Sequence, residues 1–370
     1  PLSPLYLIFR VSPSIVTLNL VVWMIGLTAA VDLAAAATTP PSALKGIAVP
    51  ATPGLLGGKN PVIVNKSSAI QLGKALFWDS AVGSDGMACA SCHFHAGADR
   101  RTRNQLDSGS RHVGAATSTR FEKTPSGAPG GPNHALRFAD FPMFRLTDPM
   151  NNKSAVLFST DDVVSSSGTF LADFKSIDGK NPESETCDSG KDPVFHAGAL
   201  NTRRVSTRNA PSVFNAAYNH RNFWDGRANN LFNGESAFGA RDPDAGVWEV
   251  TGGRIVRSKI LLENASLASQ AVAPPLDDRE MSCRKRTFKD LGRKLLQRRP
   301  LATQDIHAED SVLSRLRDPS GKGLTSTYGQ LIQATFDKRF WAGQGDFGKP
   351  LVEGAPYSQM EANFAFFFGL

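Results

Sequence analysis

Cysteine and histidine stand side by side once in this chain, in the pentad Cys89-Ala90-Ser91-Cys92-His93. Two thiols three residues apart on one helical turn can each form a thioether bond to a haem vinyl group, and the histidine that follows can bind the iron. Chance assembly is improbable, because the chain has only 4 Cys and 7 His. The pentad therefore predicts one covalently bound haem c, attached through Cys89 and Cys92, with His93 as the proximal iron ligand.

Two other chemistries use a pair of cysteines at this spacing. A structural zinc site needs a second Cys or His pair at comparable spacing, and none follows closely. A redox dithiol has no use for the following histidine and usually lies beside a βαβ pattern, which the sequence does not show. The remaining cysteines, Cys187 and Cys283, belong to no such motif. In an exported protein we expect them to form a disulfide that closes a long loop.

The first residues of the chain indicate export. Residues 14–31 form an apolar run that follows Arg10 and precedes four alanines at 34–37. A charged start, an apolar stretch and small residues at the end are typical of a signal peptide, so we predict a cleaved leader over residues 1–37 and a periplasmic protein without membrane association. The run also approaches the length of a short transmembrane helix, which leaves an uncleaved anchor as the alternative.

The net charge of +7 raises the question of an anionic partner. Lysine and arginine are scattered among acidic residues, except for a dense basic run over residues 284–299. A solvated helix face explains this run better than a nucleic-acid patch does. We therefore predict no nucleic-acid partner, and docking of an acidic electron donor to the basic face remains open.

Glycine, proline and hydrophobic spacing outline the organisation of the chain. Residues 38–64 are rich in Pro and Gly and indicate a linker or extended arm. A helix is expected to start from an N-cap at Ser67 or Ser68. Residues 96–200 contain few periodic segments, which is typical of functional or cofactor-wrapping loops. Further helical patterns cover residues 210–218, 225–233, 286–298, 302–317 and 326–341. The predicted fold class is mainly α, a cytochrome c-like haem domain with long irregular loop insertions.

Three segments together resemble one known family. They are LGKALFWDSAVGSDGMACASCH at 72–93, RNAPSVFNAAY at 208–218 and FWDGRANNLF at 223–232. In their order along the chain and in their residue sequences, they resemble the diheme cytochrome c peroxidases, which include the MauG-like enzymes. The long span between the haem pentad and the second segment resembles a long-form branch of that family.

The resemblance implies a reaction and a relay residue. In the family, hydrogen peroxide is reduced at one haem while a second haem relays electrons. The Trp of FWDGR lies between the two haems, so Trp224 is the implied relay; packing beside the porphyrin is the alternative for a large aromatic residue. Arg227 could pair with a haem propionate through its planar donor fork. Its alternative is a local ion pair with Asp225.

The resemblance also predicts how the chain divides into domains. Residues 65–240 would form the first haem domain with its loop insertion, and residues 241–370 a helical region that leads to a second haem domain. This chain departs from the family pattern in one respect. No second C-x-x-C-H follows His93, and the chain ends within an apolar pattern at 366–370. We therefore expect the second haem domain beyond Leu370, in a longer polypeptide.

The groups that would act on peroxide are harder to assign. The family's Gln and Glu lie roughly ten and twenty residues beyond the FWDGR Trp. Near those places stand Glu235, Asp242 and Asp244, of which Glu235 is the candidate acid–base residue. An exposed turn or cap residue is the alternative for each of them.

The sixth iron ligand decides between catalysis and electron transfer, because a firmly held ligand excludes peroxide. His112 follows His93 by nineteen residues, close to where the family places a displaceable histidine. A surface histidine is the alternative for His112. Met143 and Met150 flank a proline-containing loop that could instead carry an axial methionine.

The leading functional prediction is a periplasmic haem peroxidase that takes electrons from a small redox protein. An oxygenase or oxidase of the same family, acting on an organic or protein substrate, is the first alternative. A pure electron-carrier cytochrome is the second, although about a hundred residues suffice for such a carrier. A homodimer is compatible with the sequence.

Overall fold

The computed structural model describes residues 42–94, 99–109, 120–177, 184–350 and 354–370. The chain divides into two compact units, Pro1–Ala48 and Val49–Leu370. In the first unit, residues 42–48 are exposed and contain one turn. The predicted leader lies outside the described residues. Among the helices that are described, none has the length and apolar character needed to cross a membrane.

Short helices and strand pairs make up the second unit. The described helices are α1 (Lys66–Trp78), α2 (Ala90–His93), α3 (Ser266–Ala271), α4 (Phe288–Leu295), α5 (Tyr328–Thr335), α6 (Gln359–Ala362) and α7 (Phe364–Gly369). The described strands are β1 (Leu106–Asp107), β2 (Phe144–Leu146), β3 (Val156–Ser159), β4 (Val163–Val164), β5 (Ala172–Ile177), β6 (Glu185–Ser189), β7 (His196–Ala197), β8 (Leu200–Asn201), β9 (Val247–Thr251) and β10 (Arg254–Ser258). In this part of the chain the strands form two-stranded antiparallel sheets, β1–β4, β2–β3, β5–β6, β7–β8 and β9–β10.

Helices from distant parts of the sequence build one hydrophobic core. Helix α1 packs on α5, and α4 packs on α6 and α7. The apolar C-terminal run is buried in this core, where the Phe336 and Phe367 ring centroids are 4.7 Å apart and those of Phe340 and Phe366 are 5.0 Å apart. Residues on both sides of position 240 share this core, and the division into two domains at that position stays a prediction.

The prediction of a mainly α fold is wrong, because helix accounts for 23% of the structure and strand for 17%. The predicted helix at 302–317 gives only a 3₁₀ turn at Ser314–Leu316. The predicted helices at 210–218 and 225–233 give only a short 3₁₀ turn at Ala216–Tyr218. The backbone explains this outcome: Asn215, Phe223 and Gly226 have positive φ angles of 62°, 66° and 66°. A residue in that region of φ/ψ space ends a right-handed helix.

In the described part of the long stretch between the haem pentad and residue 205, short strand pairs are connected by irregular segments. One of them, β5–β6, is joined to the core by a disulfide between Cys187 and Cys283, which closes a sequence separation of 96 residues. The expected disulfide is therefore present. The predicted arm is exposed over most of residues 42–64.

The β9–β10 hairpin is a clear case of local sequence fixing local structure. Its strands are joined by Gly252 and Gly253, with φ angles of 58° and 75°. Two central residues with positive φ make the turn type whose twist matches paired strands, and glycine adopts this conformation without steric cost. The hairpin inserts residues 247–258 between the FWDGR segment and α3.

Candidate active site

A cavity of about 270 Å³ brings the three family-like segments together. Its lining comes from residues 88–93, 166–168, 206–211, 223–227 and 270–281. The first, third and fourth of these ranges belong to the segments that carried the resemblance. The last range had no place in the sequence-based assignment of the site.

Helix α2 presents both thiols and the imidazole on one turn. The amides of Cys92 and His93 donate to the Cys89 carbonyl at 3.2 and 3.1 Å, which starts the helix at the first cysteine. The Nδ1 atom of His93 lies 2.8 Å from the carbonyl oxygen of Pro211. Since a carbonyl can only accept, this contact places the proton on Nδ1 and leaves Nε2 with a free lone pair, the form of imidazole that binds a metal.

The thiols are free and protonated at neutral pH. Burial raises the pKa of Cys89 to about 12 and also raises the pKa of Cys92, against the opposing charge of Arg101. Redox-active and zinc-binding cysteines instead have low pKa values in electropositive surroundings. In the described residues no group of three or more His, Cys, Asp or Glu side chains could hold a metal ion. The donor set of two buried thiols and one oriented imidazole, in a partly apolar cavity, fits haem c.

Two residues of the FWDGR segment lie at the cavity. Trp224 lines it with its side chain 71% exposed, and its indole N–H donates to the Asn209 carbonyl at 3.1 Å. Trp224 is therefore a rim residue rather than a core residue. Arg227 also lines the cavity, but its guanidinium pairs with Asp225 at 2.9 Å and stacks 3.9 Å from the Phe223 ring centroid.

The carboxylate of Asp225 is held in its charged form. Burial on its own would raise the pKa of Asp225, but hydrogen bonds from Arg208 and Arg227 outweigh it and lower the pKa well below its ordinary value. Both arginines thus share one carboxylate at 2.9 Å. The local ion pair foreseen as the alternative for Arg227 is present, and contact with a propionate stays a prediction.

The structure does not bring Glu235 to the cavity. Its carboxylate pairs with Arg257 at 2.6 Å on the surface and accepts from the Gly246 amide at 3.2 Å. Asp242 accepts a hydrogen bond from Ser236 at 2.6 Å, in the turn that follows. Neither residue is among those that line the cavity. His112 lies outside the described residues.

Two carboxylates do line the cavity, those of Asp277 and Glu280. Burial raises the pKa of Glu280 and the neighbouring carboxylate of Asp277 raises it further, to about 7, against a hydrogen bond from Ser206 and the charge of Arg227. The Ser206 hydroxyl lies 3.3 Å from Glu280 Oε1. A carboxyl group whose pKa is near neutrality can both accept and return a proton, which is the property an acid–base catalyst needs.

Comparison with known protein families bears on the family of the chain. Residues 181–344 match the family model described as di-haem cytochrome c peroxidase. The match supports the di-haem cytochrome c peroxidase family for this part of the chain. No curated protein and no solved structure gives a significant match to the chain. The match supports the family predicted from the motifs, and that family is consistent with a haem oxidoreductase for which haem c is expected.

The family range contains a Gln and Glu pair that the sequence-based assignment missed. Gln270 and Glu280 both line the cavity and are ten residues apart, the separation that the family pattern implies. The family spacing places the Gln roughly ten residues after Trp224, whereas Gln270 follows Trp224 by 46 residues, and the β9–β10 hairpin supplies only part of the added length. The Gly-Gly turn flanked by alternating apolar residues was the available signal.

One glycine makes the close packing around Glu280 testable. A Cβ atom at Gly168 would lie 2.2 Å from the Arg279 carbonyl oxygen and 2.4 Å from that of Glu280. We expect Gly168→Ala to displace this backbone and to lower the free energy of unfolding by about 1–3 kcal/mol, with a loss of peroxidase activity. Denaturant unfolding and steady-state kinetics measure the two effects.

A matched control is available at Gly73 in α1, where an added Cβ would meet nothing within 4 Å. We expect Gly73→Ala to raise the free energy of unfolding by up to about 1 kcal/mol through helix propensity, with activity unchanged. Equal effects of the two substitutions would show that the tight contact at Gly168 has no importance.

Proposed function

We propose that the protein is a periplasmic c-type haem peroxidase that reduces hydrogen peroxide with electrons from a small redox protein. The family match supports a di-haem peroxidase type of function. The observation that carries the proposal is that His93 and Glu280 line one cavity, the first with Nε2 available and the second with a pKa near neutrality. Members of the family are typically periplasmic.

Three residues of the pentad would hold the cofactor. Cys89 and Cys92 would carry the thioether bonds, and His93 would bind the iron through Nε2 while Pro211 fixes its ring. When bound, haem supplies the iron centre at which peroxide binds and through which electrons enter. Met281 packs beside Cys89, with 3.9 Å between the two sulfur atoms, and gives the attachment side an apolar wall.

The chain itself supplies the proton chemistry. Reduction of one hydrogen peroxide breaks its O–O bond and consumes two electrons and two protons to give two waters. In the proposed mechanism the Glu280 carboxylate takes a proton from one peroxide oxygen and returns it to the departing one. The amide of Gln270 would stabilise the charge that develops on the departing oxygen. Arg279 lines the same cavity with its guanidinium held 2.7 Å from Asp107.

Electron entry would involve the rim of the cavity. Trp224 lies between the cavity and solvent, where an electron from outside the domain would arrive. We propose it as the relay residue, with a second haem, which the family pattern implies, as the source of the electron. A homodimer and the identity of the donor belong to the same proposal.

The test is expression of the full-length gene product in a host that matures c-type cytochromes. Haems are counted by pyridine haemochrome and mass, and the ferric spectrum is recorded with and without hydrogen peroxide. We expect a high-spin signal that shifts on adding peroxide, and turnover with a reduced small cytochrome. A low-spin haem that is indifferent to peroxide would overturn the proposal in favour of an electron carrier.

A further inference from the structure

The turn that carries Glu280 is short, and hydrogen bonds between its own residues hold it together. The amides of Met281 and Ser282 donate to the Asp277 carbonyl at 2.9 and 3.0 Å, and the Arg279 amide donates to the Asp277 carboxylate at 2.8 Å. We name residues 277–282 the acid turn. Because Glu280 is half-buried at its centre, the position of its carboxylate depends on what holds the two ends of this turn.

The β5–β6 hairpin holds the C-terminal end of the acid turn. Cys283, 1% exposed, directly follows the turn and is bonded to Cys187 of β6. The next residue, Arg284, extends β5: its amide donates to the Ala172 carbonyl at 2.9 Å and its carbonyl accepts from Phe174 at 2.9 Å. The disulfide and this backbone pairing therefore fix the chain one and two residues beyond the turn.

A buried ion pair from the same hairpin spans both ends of the turn. The Arg286 side chain, 0% exposed, pairs with Glu185 of β6 at 2.9 Å. Its second terminal nitrogen donates to the Pro275 carbonyl at 2.7 Å, before the turn, and to the Met281 carbonyl at 3.2 Å, within it. Glu185 also pairs with Lys294 of α4 at 3.1 Å. A guanidinium that pairs with one carboxylate and donates to two backbone carbonyls is pre-organised to hold those carbonyls in place.

We propose that the β5–β6 hairpin positions Glu280 in the cavity, through the Cys187–Cys283 disulfide and the Glu185–Arg286 ion pair. These four are positioning residues, because they reach the cavity only through the acid turn. The inference rests on the proposed role of Glu280 and gives a function to part of the long segment between the haem pentad and RNAPS.

The physical consequence lies in the surroundings of Glu280. The charged groups that act on it are Asp277 from its own turn and Arg227 from the FWDGR segment, while the nearby Cys89 and Cys92 are neutral as thiols and as thioethers. With the hairpin released, the turn can move Glu280 towards water and away from Asp277. Both changes favour the ionised form of the carboxyl group.

The first test removes the disulfide by the double substitution Cys187→Ala and Cys283→Ala in the full-length haem protein. We expect amide hydrogen exchange in residues 277–283 to accelerate at least tenfold and kcat/KM for peroxide to fall about tenfold. The pH inflection of kcat/KM should move from about 7 towards the ordinary glutamate value of about 4.3. If the double variant does not fold, Glu185→Gln replaces it with the same expected readouts.

The matched control is Leu313→Ala, a 2% exposed core position outside the acid turn and its clamps. It loses comparable stability without touching the hairpin, so its pH inflection should stay near 7. An unchanged inflection and unchanged exchange in the clamp variants would overturn the positioning role. If the wild type has no peroxidase activity, the infrared titration of the Glu280 carboxyl, assigned with Glu280→Gln, decides the inference separately from the proposed function.

Discussion

Replacing Glu280 with glutamine is expected to lower kcat/KM for hydrogen peroxide by about 100- to 10,000-fold, the usual loss when a positioned acid–base group is removed. Glutamine keeps the size of the side chain and a hydrogen-bonding oxygen for Ser206, which lies 3.3 Å from the carboxylate. It cannot accept a proton at neutral pH. The effect should therefore fall on turnover, while haem content and the free energy of unfolding stay close to wild type.

The pH dependence of kcat/KM shows which protonation state of Glu280 is active. In the wild type, kcat/KM should rise with pH and level off above about 7, because the pKa of Glu280 is raised to that value and the ionised form is the base. In Glu280→Gln this inflection should be absent. An inflection near 7 that survives the substitution would assign the titration to another group and reject Glu280 as the base.

Glu235 provides the control for this experiment. It is also a carboxylate of the family range, but it pairs with Arg257 on the surface, and the pair is exposed to more than 40% on each side. An exposed ion pair contributes little to stability. We expect Glu235→Gln to leave kcat/KM within about twofold of wild type and the pH profile unchanged. A large loss at Glu235 with none at Glu280 would restore the assignment made from the sequence.

Local signals in the sequence predicted the helices that have strong caps. Helices α4 and α5 lie inside the predicted ranges 286–298 and 326–341, and each begins with a capping box, Thr287 with Asp290 and Thr327 with Gln330. Such boxes satisfy amides at the helix start through residues three apart, so they can be recognised without tertiary information. For α1 the structure uses Asn65 as N-cap, two residues before the earlier of the two predicted positions.

Tertiary contacts decided the parts that local signals did not predict. The spacing of apolar residues at 210–233 is typical of a helix, yet the chain there lines the cavity. Pro211 is hydrogen-bonded to His93, and Trp224 is hydrogen-bonded to Asn209. The described strands are only 2–6 residues long, which is too short to produce a recognisable alternation of apolar and polar residues in the sequence. The strand pairs of the long insertion are therefore visible only once their partners are known.

The residues of the candidate site also fall into those that local sequence predicts and those that depend on tertiary contacts. The haem-binding residues are adjacent in sequence, so covalent chemistry alone identified Cys89, Cys92 and His93. Glu280 reaches the cavity through contacts with Ser206 and Gly168, which are more than seventy residues away in the chain. Its raised pKa arises from burial and from Asp277, and burial cannot be read from a polar, charged segment such as DDRE.

The substitution with the most complete expected effect is the pair Cys89→Ala and Cys92→Ala. Without thioether bonds, haem should be lost entirely from the chain under denaturing conditions, as shown by haem staining after electrophoresis and by pyridine haemochrome. The pair Cys187→Ala and Cys283→Ala is the matched control, because it removes the other two cysteines, which form the disulfide, and should keep haem attached. Haem that survives in the first pair would reject covalent attachment at α2. Stoichiometric zinc in the wild type, lost with the first pair only, would instead support a metal site at these thiols.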